Sequence, residues 1–223
     1  MRLFKPHELP GTLICVEGID GSGKSTQLAI LRDWLKSKNL DVIFTEWNSS
    51  DLISQTTKKA KKKNLLSLRT FSLLHAVDFA DRLEQIIIPA MKAGFIVLAD
   101  RYVYTAFARD VARGVDRDWV RNMYGFAVKP DLALYYSIPA EVSLERICAN
   151  RAPSFYEAGM DLKLSNNPYK SYVIFQSRVN EEYADMVNEF GLVRIDANNT
   201  IHSKQVLLRQ YVTELLSKKG IQI

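Results

Sequence analysis

The chain has 223 residues, 47% of them hydrophobic and 25% charged, which suits one compact α/β domain over residues 1–223 and offers no uninterrupted apolar run of membrane-spanning length. The N-terminus Met1-Arg2-Leu3-Phe4-Lys5-Pro6 has no apolar signal core, so a soluble, cytoplasmic protein without a membrane partner is expected. A formal net charge of +5 and a pI near 9.1 fit either a nucleic-acid binder or an enzyme handling polyanionic nucleotides, and do not choose between them.

Leu13-Ile14-Cys15-Val16 reads as a buried strand, and residues 24–38 as an amphipathic helix with Leu28, Leu31 and Leu35 on one face. Between them, Gly18-Ile19-Asp20-Gly21-Ser22-Gly23-Lys24-Ser25-Thr26 completes the pattern G-x-x-x-x-G-K-[ST]. A phosphate chain needs many donors close together. A glycine-rich turn supplies them, because successive backbone N–H groups can face one anion at the positive end of a helix. Lys24 is then placed to reach the β and γ phosphates of a nucleoside triphosphate, and the Ser25 hydroxyl to ligate Mg²⁺.

Further along, Asp41-Val42-Ile43-Phe44-Thr45 is a short strand, followed by the polar turn Asn48-Ser49-Ser50-Asp51. A helix over residues 52–63 leads into a long one over about 67–93, which Pro89 interrupts near its end and Gly94 stops. Phe95-Ile96-Val97-Leu98-Ala99-Asp100 is an apolar strand ending in an acid, and Pro130-Asp131-Leu132-Ala133-Leu134-Tyr135-Tyr136 repeats that character. Pro139 introduces a helix over 141–150. Residues 152–168, polar and broken by Pro153, Gly159 and Pro168, read as a mobile loop. A helix over 169–189, the strand Leu192-Val193-Arg194-Ile195 and a helix over 203–219 complete the chain. Five strands alternating with helices imply a parallel sheet covered on both faces, a three-layer αβα arrangement. Ligands gather at the carboxyl ends of such strands, so the phosphate loop, Glu46, Asp100-Arg101 and Ser137 are expected to share one cleft. Cys15 and Cys148 lack metal-like or redox spacing and are expected to be small buried hydrophobes without a disulfide.

The run Lys58-Lys59-Ala60-Lys61-Lys62-Lys63 has five lysines in six residues and could track a phosphate backbone. Without interleaved aromatics it reads better as a solvated helix end, where lysines suit the negative pole. No guanine-reading Asn-Lys-x-Asp sequence occurs, which removes a GTP switch. Asp100 is followed at once by Arg101, whose guanidinium suits bidentate phosphate contact. The pair favours holding a second phosphate-bearing substrate over activating water.

Val16-Glu17 with the phosphate loop, Asp100-Arg101-Tyr102, Arg113-Gly114-Val115-Asp116, and the run from Lys129-Pro130-Asp131 through Leu144-Glu145-Arg146-Ile147 together resemble the thymidylate kinases, P-loop nucleoside monophosphate kinases. The resemblance covers most of the chain. It implies a P-loop NTPase fold with a lid at about residues 150–168. It implies transfer of the γ-phosphoryl group of ATP to dTMP with Mg²⁺, giving dTDP and ADP for dTTP biosynthesis. A homodimer packed through long helices also follows from it, with nucleic acid not expected as a partner. Within this resemblance Lys24 and Arg101 supply most of the positive field, and Asp20 contacts the acceptor or its metal-bound water, with a turn-capping role as the alternative. Asp100 orients Arg101 or an outer-sphere water of Mg²⁺, and Glu46 lies on the acceptor side. Some members carry a catalytic arginine where this chain has Ser22, which moves that expectation to the lid, to Arg151 rather than Arg146.

The base pocket departs from the family pattern of a phenylalanine that stacks on thymine and an arginine four residues later. Counting back from Pro89, those places fall at His75 and Phe79. Phe79 is expected to cover a pyrimidine face and His75 to donate to a carbonyl, the alternative being that both are core residues. Thr105 keeps a hydroxyl of the family's serine-rich turn, Arg109 stands for a glutamine facing the acceptor phosphate or base, and Tyr102 packs beside the sugar. Two other readings stay open: a kinase for another pyrimidine nucleotide or nucleoside, and a nucleic-acid-associated P-loop ATPase.

Overall fold

Five short apolar runs pair in parallel in a computed structural model that describes residue 4, residues 6–63 and residues 66–222. They are β1 (Thr12–Glu17), β2 (Val42–Glu46), β3 (Ile96–Asp100), β4 (Leu132–Ser137) and β5 (Val193–Asp196), in the order β2-β3-β1-β4-β5. The centre of the sheet is covered on both sides, which is why β1 and β3 are buried at every position instead of alternating. The register sets Val16 beside Asp100 and Glu46 beside Asp100, so the carboxyl ends of β1, β2 and β3 finish level with one another. Helices α1 (Lys24–Ser37) and α9 (Ile201–Lys218) cover one face. The other is covered by α3 (Leu68–Arg82), α5 (Val103–Ala112) and α8 (Pro168–Phe190), as right-handed crossovers require. Shorter helices α2 (Ser54–Lys62), α4 (Ile88–Lys92), α6 (Arg117–Met123) and α7 (Ala140–Cys148) complete the connections. Leu28, Leu31 and Leu35 are fully buried, as the periodicity of α1 predicts.

The expected long helix over 67–93 runs without a break from Leu68 to Lys92, but with a change of winding inside it. Pro89 has no N–H, and its ring crowds the carbonyl one turn back. The chain answers with a five-residue π-helical turn, Leu83–Ile87, ahead of α4. Helices α5 and α6 lie outside the elements expected from the sequence; α5 buries eight of its ten residues. Residues 152–168, read as a mobile loop, contain a 3₁₀ turn at Met160–Leu162 and are folded onto α8. Tyr156 and Ala158 are buried, and Gln176 of α8 donates to the Glu157 carbonyl at 2.7 Å. Gly159 lies so close to Phe175 that a Cβ would meet that ring at 2.7 Å. Cys15 is buried as expected, but Cys148, at the last position of α7, is exposed.

Candidate active site

The phosphate loop is held by contacts that only glycine permits. At Gly18, φ is 136° and a Cβ would meet the Tyr136 carbonyl at 2.6 Å. At Gly21, φ is 74° and a Cβ would meet the Ser143 carbonyl at 2.8 Å. From α7 and α8, the Ser143 hydroxyl and, at 3.3 Å, the Tyr172 hydroxyl donate to the Asp20 carbonyl, fixing the loop from outside. Helices α3, α6, α8 and α9 begin with side-chain caps from Ser67, Asp116, Asn167 and Thr200. Helix α1 begins at left-handed Gly23 with no side-chain cap, so its first N–H groups stay open to an anion.

Lys24, 5% exposed, folds over the loop and donates to the Ile19 carbonyl at 2.8 Å and the Ser22 hydroxyl at 3.2 Å. Burial and the nearby Arg101 push its ammonium down to about 8, against the carboxylates of Asp100, Asp20 and Glu17. Ser25 donates to Asp100 Oδ2 at 2.5 Å. These two oxygens are hard donors, and the cleft of about 390 Å³ around them also takes in Gly23, Thr26 and Glu46. Such a donor set fits Mg²⁺, which keeps most of its ligands as water and phosphate oxygens.

Arg101 is the pivot between this cleft and a second cavity. Its backbone is left-handed, φ 74°, a conformation that costs free energy for any residue with a Cβ. Hydrogen bonds on both sides impose it: Arg101 N–H to the Val16 carbonyl at 3.0 Å, and Tyr102 N–H to Glu17 Oε1 at 2.6 Å. The guanidinium donates to the Gly18 carbonyl at 3.0 Å, to Thr105 Oγ1 at 3.3 Å, and to the carboxylate of Asp20. Burial resists the ionisation of Asp20, but Arg101, Arg109 and Lys24 outweigh it and hold the carboxyl well below the usual range.

Glu17, the last residue of β1, joins the site without a sequence motif that marks its role. It is fully buried and accepts from Tyr102 N–H, from the Thr105 hydroxyl at 2.7 Å and from the Tyr183 hydroxyl at 2.9 Å. Burial pushes its carboxyl up to about 7, against those donors and the Arg101 charge. The signal available in the sequence was an acid closing a strand whose other residues are uncharged. Glu17→Gln puts an amide N–H₂ among groups that already donate. The expected cost is about 2 kcal/mol of stability in a urea titration, with a fall in turnover as Arg101 loses its support.

The second cavity, of about 580 Å³, shares Asp20, Trp47 and Arg101 with the first cleft. Lys58, Lys61 and Lys62 line it, so the lysine run is not only a solvated helix end. Burial beside Arg109 and Arg113 pushes Lys61 down to about 7. A closed recess too small to hold a water molecule lies beside it between Trp47, Phe71, His75, Thr105, Arg109 and Asp110. His75 Nδ1 lies 2.8 Å from the Phe71 carbonyl, which can only accept, so Nδ1 carries the proton. Burial, with Lys61 and Arg109 nearby, keeps the imidazole neutral. Its Nε2 is therefore a lone-pair acceptor, buried in the recess without a partner among the described residues. That reverses the expectation that His75 donates.

Phe79 is not in the recess. It is fully buried in an aromatic cluster with Tyr102 at 5.0 Å and Tyr124 at 5.4 Å. Counting back from Pro89 lands four residues, one helical turn, too late, and the intervening π-helical turn accounts for only one residue of that offset. The spacing of a phenylalanine and a polar side chain one turn later is met by Phe71 and His75, with ring centroids 4.3 Å apart. Tyr102 likewise turns inward, its hydroxyl donating to the Val128 carbonyl at 2.8 Å, and does not reach a sugar position. Glu46 lies in the phosphate-loop cleft, whereas Trp47, which was overlooked, borders both cavities and stacks on His75 at 5.9 Å. Ser137 is apart from both, its hydroxyl taken by Arg194 at 3.1 Å.

An anion-ready loop and a second basic cavity thus meet across one Arg–Asp pair. A sequence model of the family described as thymidylate kinase matches residues 16–206. The chain belongs to the thymidylate kinase family. It is 46% identical over 208 residues to a probable thymidylate kinase 2 of Saccharolobus solfataricus, covering 92% of this chain and 97% of that one. A probable thymidylate kinase of Thermococcus onnurineus is 32% identical, covering 82% of this chain and 87% of its own. A thymidylate kinase of Desulfotalea psychrophila is 37% identical over 143 residues, 64% of this chain and 71% of that one. Members of the thymidylate kinase family are nucleoside monophosphate kinases, and the family implies ATP as phosphoryl donor.

In this thymidylate kinase-family chain the segment over 152–168 borders the second cavity, contributing Phe155, Tyr156 and Glu157 to its lining. Arg151 forms a two-pronged pair with Glu157, both contacts 2.7 Å, at the exposed rim. Arg146 instead donates to the Ala197 carbonyl at 3.2 Å. Arg113 pins the segment from below. It donates to the Tyr156 carbonyl at 2.7 Å and pairs with Asp161 at 3.1 Å.

Proposed function

We infer that this chain transfers the γ-phosphoryl group of ATP to dTMP, giving dTDP and ADP. The observation that carries the reading is the meeting of the two cavities at Arg101 and Asp20, which sets two sites for phosphate-bearing ligands side by side. Chemically, the task is to align donor and acceptor and to neutralise charge spreading over the transferred group. Lys24 and the open N–H groups of the loop take the donor phosphates, and Arg101 spans both substrates. Mg²⁺, held by Ser25 with Asp100 in support, supplies further positive charge when bound. Asp20 keeps Arg101 in place and is charged at every working pH. Arg151 is the lid arginine proposed to leave Glu157 for the phosphates.

For the base, we assign His75 Nε2 as acceptor and the ring of Phe71, both buried beside a recess that must widen to admit a ligand. Thymine carries an N3–H that would donate to Nε2, whereas cytosine presents a bare N3 lone pair there. The expected outcome is a kcat/KM for dCMP at least about 100-fold below that for dTMP. The test is ADP release with a panel of nucleoside monophosphates. No acceptor-stimulated release would remove the kinase reading, and equal use of dCMP would remove the role given to His75.

Leu73 and Val77, one turn apart on α3, expose apolar surface, which supports the proposal that a second copy packs there. Light scattering tests it. Among the described residues no helix is long and apolar enough to cross a membrane. A single kinase domain working in the cytoplasm is proposed.

A further inference from the structure

The basic run on α2 is organised by helical geometry. Lys58, Lys61 and Lys62 stand at i, i+3 and i+4, so they share one face, and that face lines the acceptor cavity. Lys59 belongs to a different face and does not line it. Around the cavity five cationic side chains meet only two carboxylates. Both carboxylates are already engaged, Asp20 by Arg101 and Glu157 by Arg151. Among the described residues no carboxylate pairs with Lys61 or with Arg109 on the opposite wall, the nearby pairs going to Arg101, Arg113 and Arg151. Lys61 is the half-buried one of the three lysines, its Nζ 5.2 Å from the centre of the Phe71 ring.

A partly desolvated ammonium without a counter-charge costs free energy that a bound anion returns. The depression of Lys61 toward neutrality by burial, Arg109 and Arg113 reports the same shortfall of negative charge. A nucleobase is uncharged and would offset one hydrogen bond at most; a phosphate carries two negative charges and several acceptor oxygens. We propose that Lys61, together with Arg109, binds the phosphate of the acceptor nucleotide directly, and that α2 is a wall of the acceptor site. This rests on the kinase reading for the identity of the nucleotide, but not for the contact itself.

The test measures equilibrium binding of dTMP and of thymidine, which lacks the phosphate, to the full chain and to Lys61→Gln, Lys61→Arg and Lys59→Gln. Lys61→Gln is expected to weaken dTMP about 10- to 100-fold, the range of one charge-assisted hydrogen bond, while thymidine changes less than about twofold. Lys61→Arg should recover most of the dTMP affinity, and Lys59→Gln should match the parent protein. Unchanged dTMP binding in Lys61→Gln overturns the proposal. So does an equal loss for thymidine, which would put Lys61 on the base, or an equal loss in Lys59→Gln, which would leave only a diffuse field. If the parent binds another monophosphate and not dTMP, the assigned base is wrong, and the same variants decide Lys61 with that nucleotide and its nucleoside. If it binds no monophosphate, both readings fall.

Discussion

Arg101→Ala is expected to lower kcat/KM for the acceptor about 100- to 1,000-fold while changing the apparent affinity for ATP by less than roughly threefold. The guanidinium reaches Gly18, Thr105 and Asp20 at once, so it is fixed before substrate arrives and loses little freedom on binding it. Removing it does two things. It deletes the donor between the two cavities, and it leaves Asp20 facing the acceptor as an unpaired negative charge. The second effect adds repulsion to a lost attraction, which is why the acceptor suffers more than ATP. Arg101→Lys should restore only a small part, since an ammonium cannot donate in the fork that spans Gly18 and Asp20. Steady-state kinetics with each substrate varied in turn is the measurement. A rise confined to the ATP requirement would mean that Arg101 belongs to the donor side alone.

What could be read ahead of the structure follows from how local each cause is. The phosphate loop was legible because its chemistry needs specific residues within nine positions of chain, with a strand before and a helix after. The five strands were legible because each is a short run of apolar residues or, in β5, of alternating apolar and charged ones, and their parallel pairing follows from the helices between them. Helix α5 was not, because it is short and rich in β-branched and aromatic residues, Val103, Tyr104, Thr105, Phe107 and Val111, whose local preference is for strand. Phe79 was misplaced by a full helical turn, because spacing back from Pro89 does not say which of the aromatic residues on α3 faces the cavity and which the core. His75 lies close to the second cavity, but its free nitrogen accepts where donation was expected. Which nitrogen carries the proton depends on the Phe71 carbonyl, four residues back along a helix whose exact course the sequence does not state. The lysine run shows the same limit: its spacing defines a face, but only the packing of α2 against α3 says what that face looks at.

Lys24→Ala should reduce kcat by about 1,000-fold with the fold and melting temperature nearly unchanged. Lys24 is buried, yet its hydrogen bonds go to groups of the loop itself, the Ile19 carbonyl and the Ser22 hydroxyl, and to no distant element. Truncation therefore costs little packing. The ammonium is nonetheless the one flexible cation in the loop, placed to follow charge as it moves from the β,γ-bridging oxygen onto ADP. Its protonation gives a second, independent readout. Burial and Arg101 hold the free protein's Lys24 at about 8, below an ordinary lysine, so it is charged below that pH and loses its proton as pH rises through it. Because kcat/KM reports the free enzyme, kcat/KM for ATP should decline above about pH 8. Lys24→Arg, which stays protonated, should shift that decline upward even where its absolute activity is low. A parent profile flat from pH 7 to about 10 would show that the charge on Lys24 is not what the donor phosphates require. Near-normal turnover by Lys24→Ala would remove the loop from phosphoryl transfer altogether.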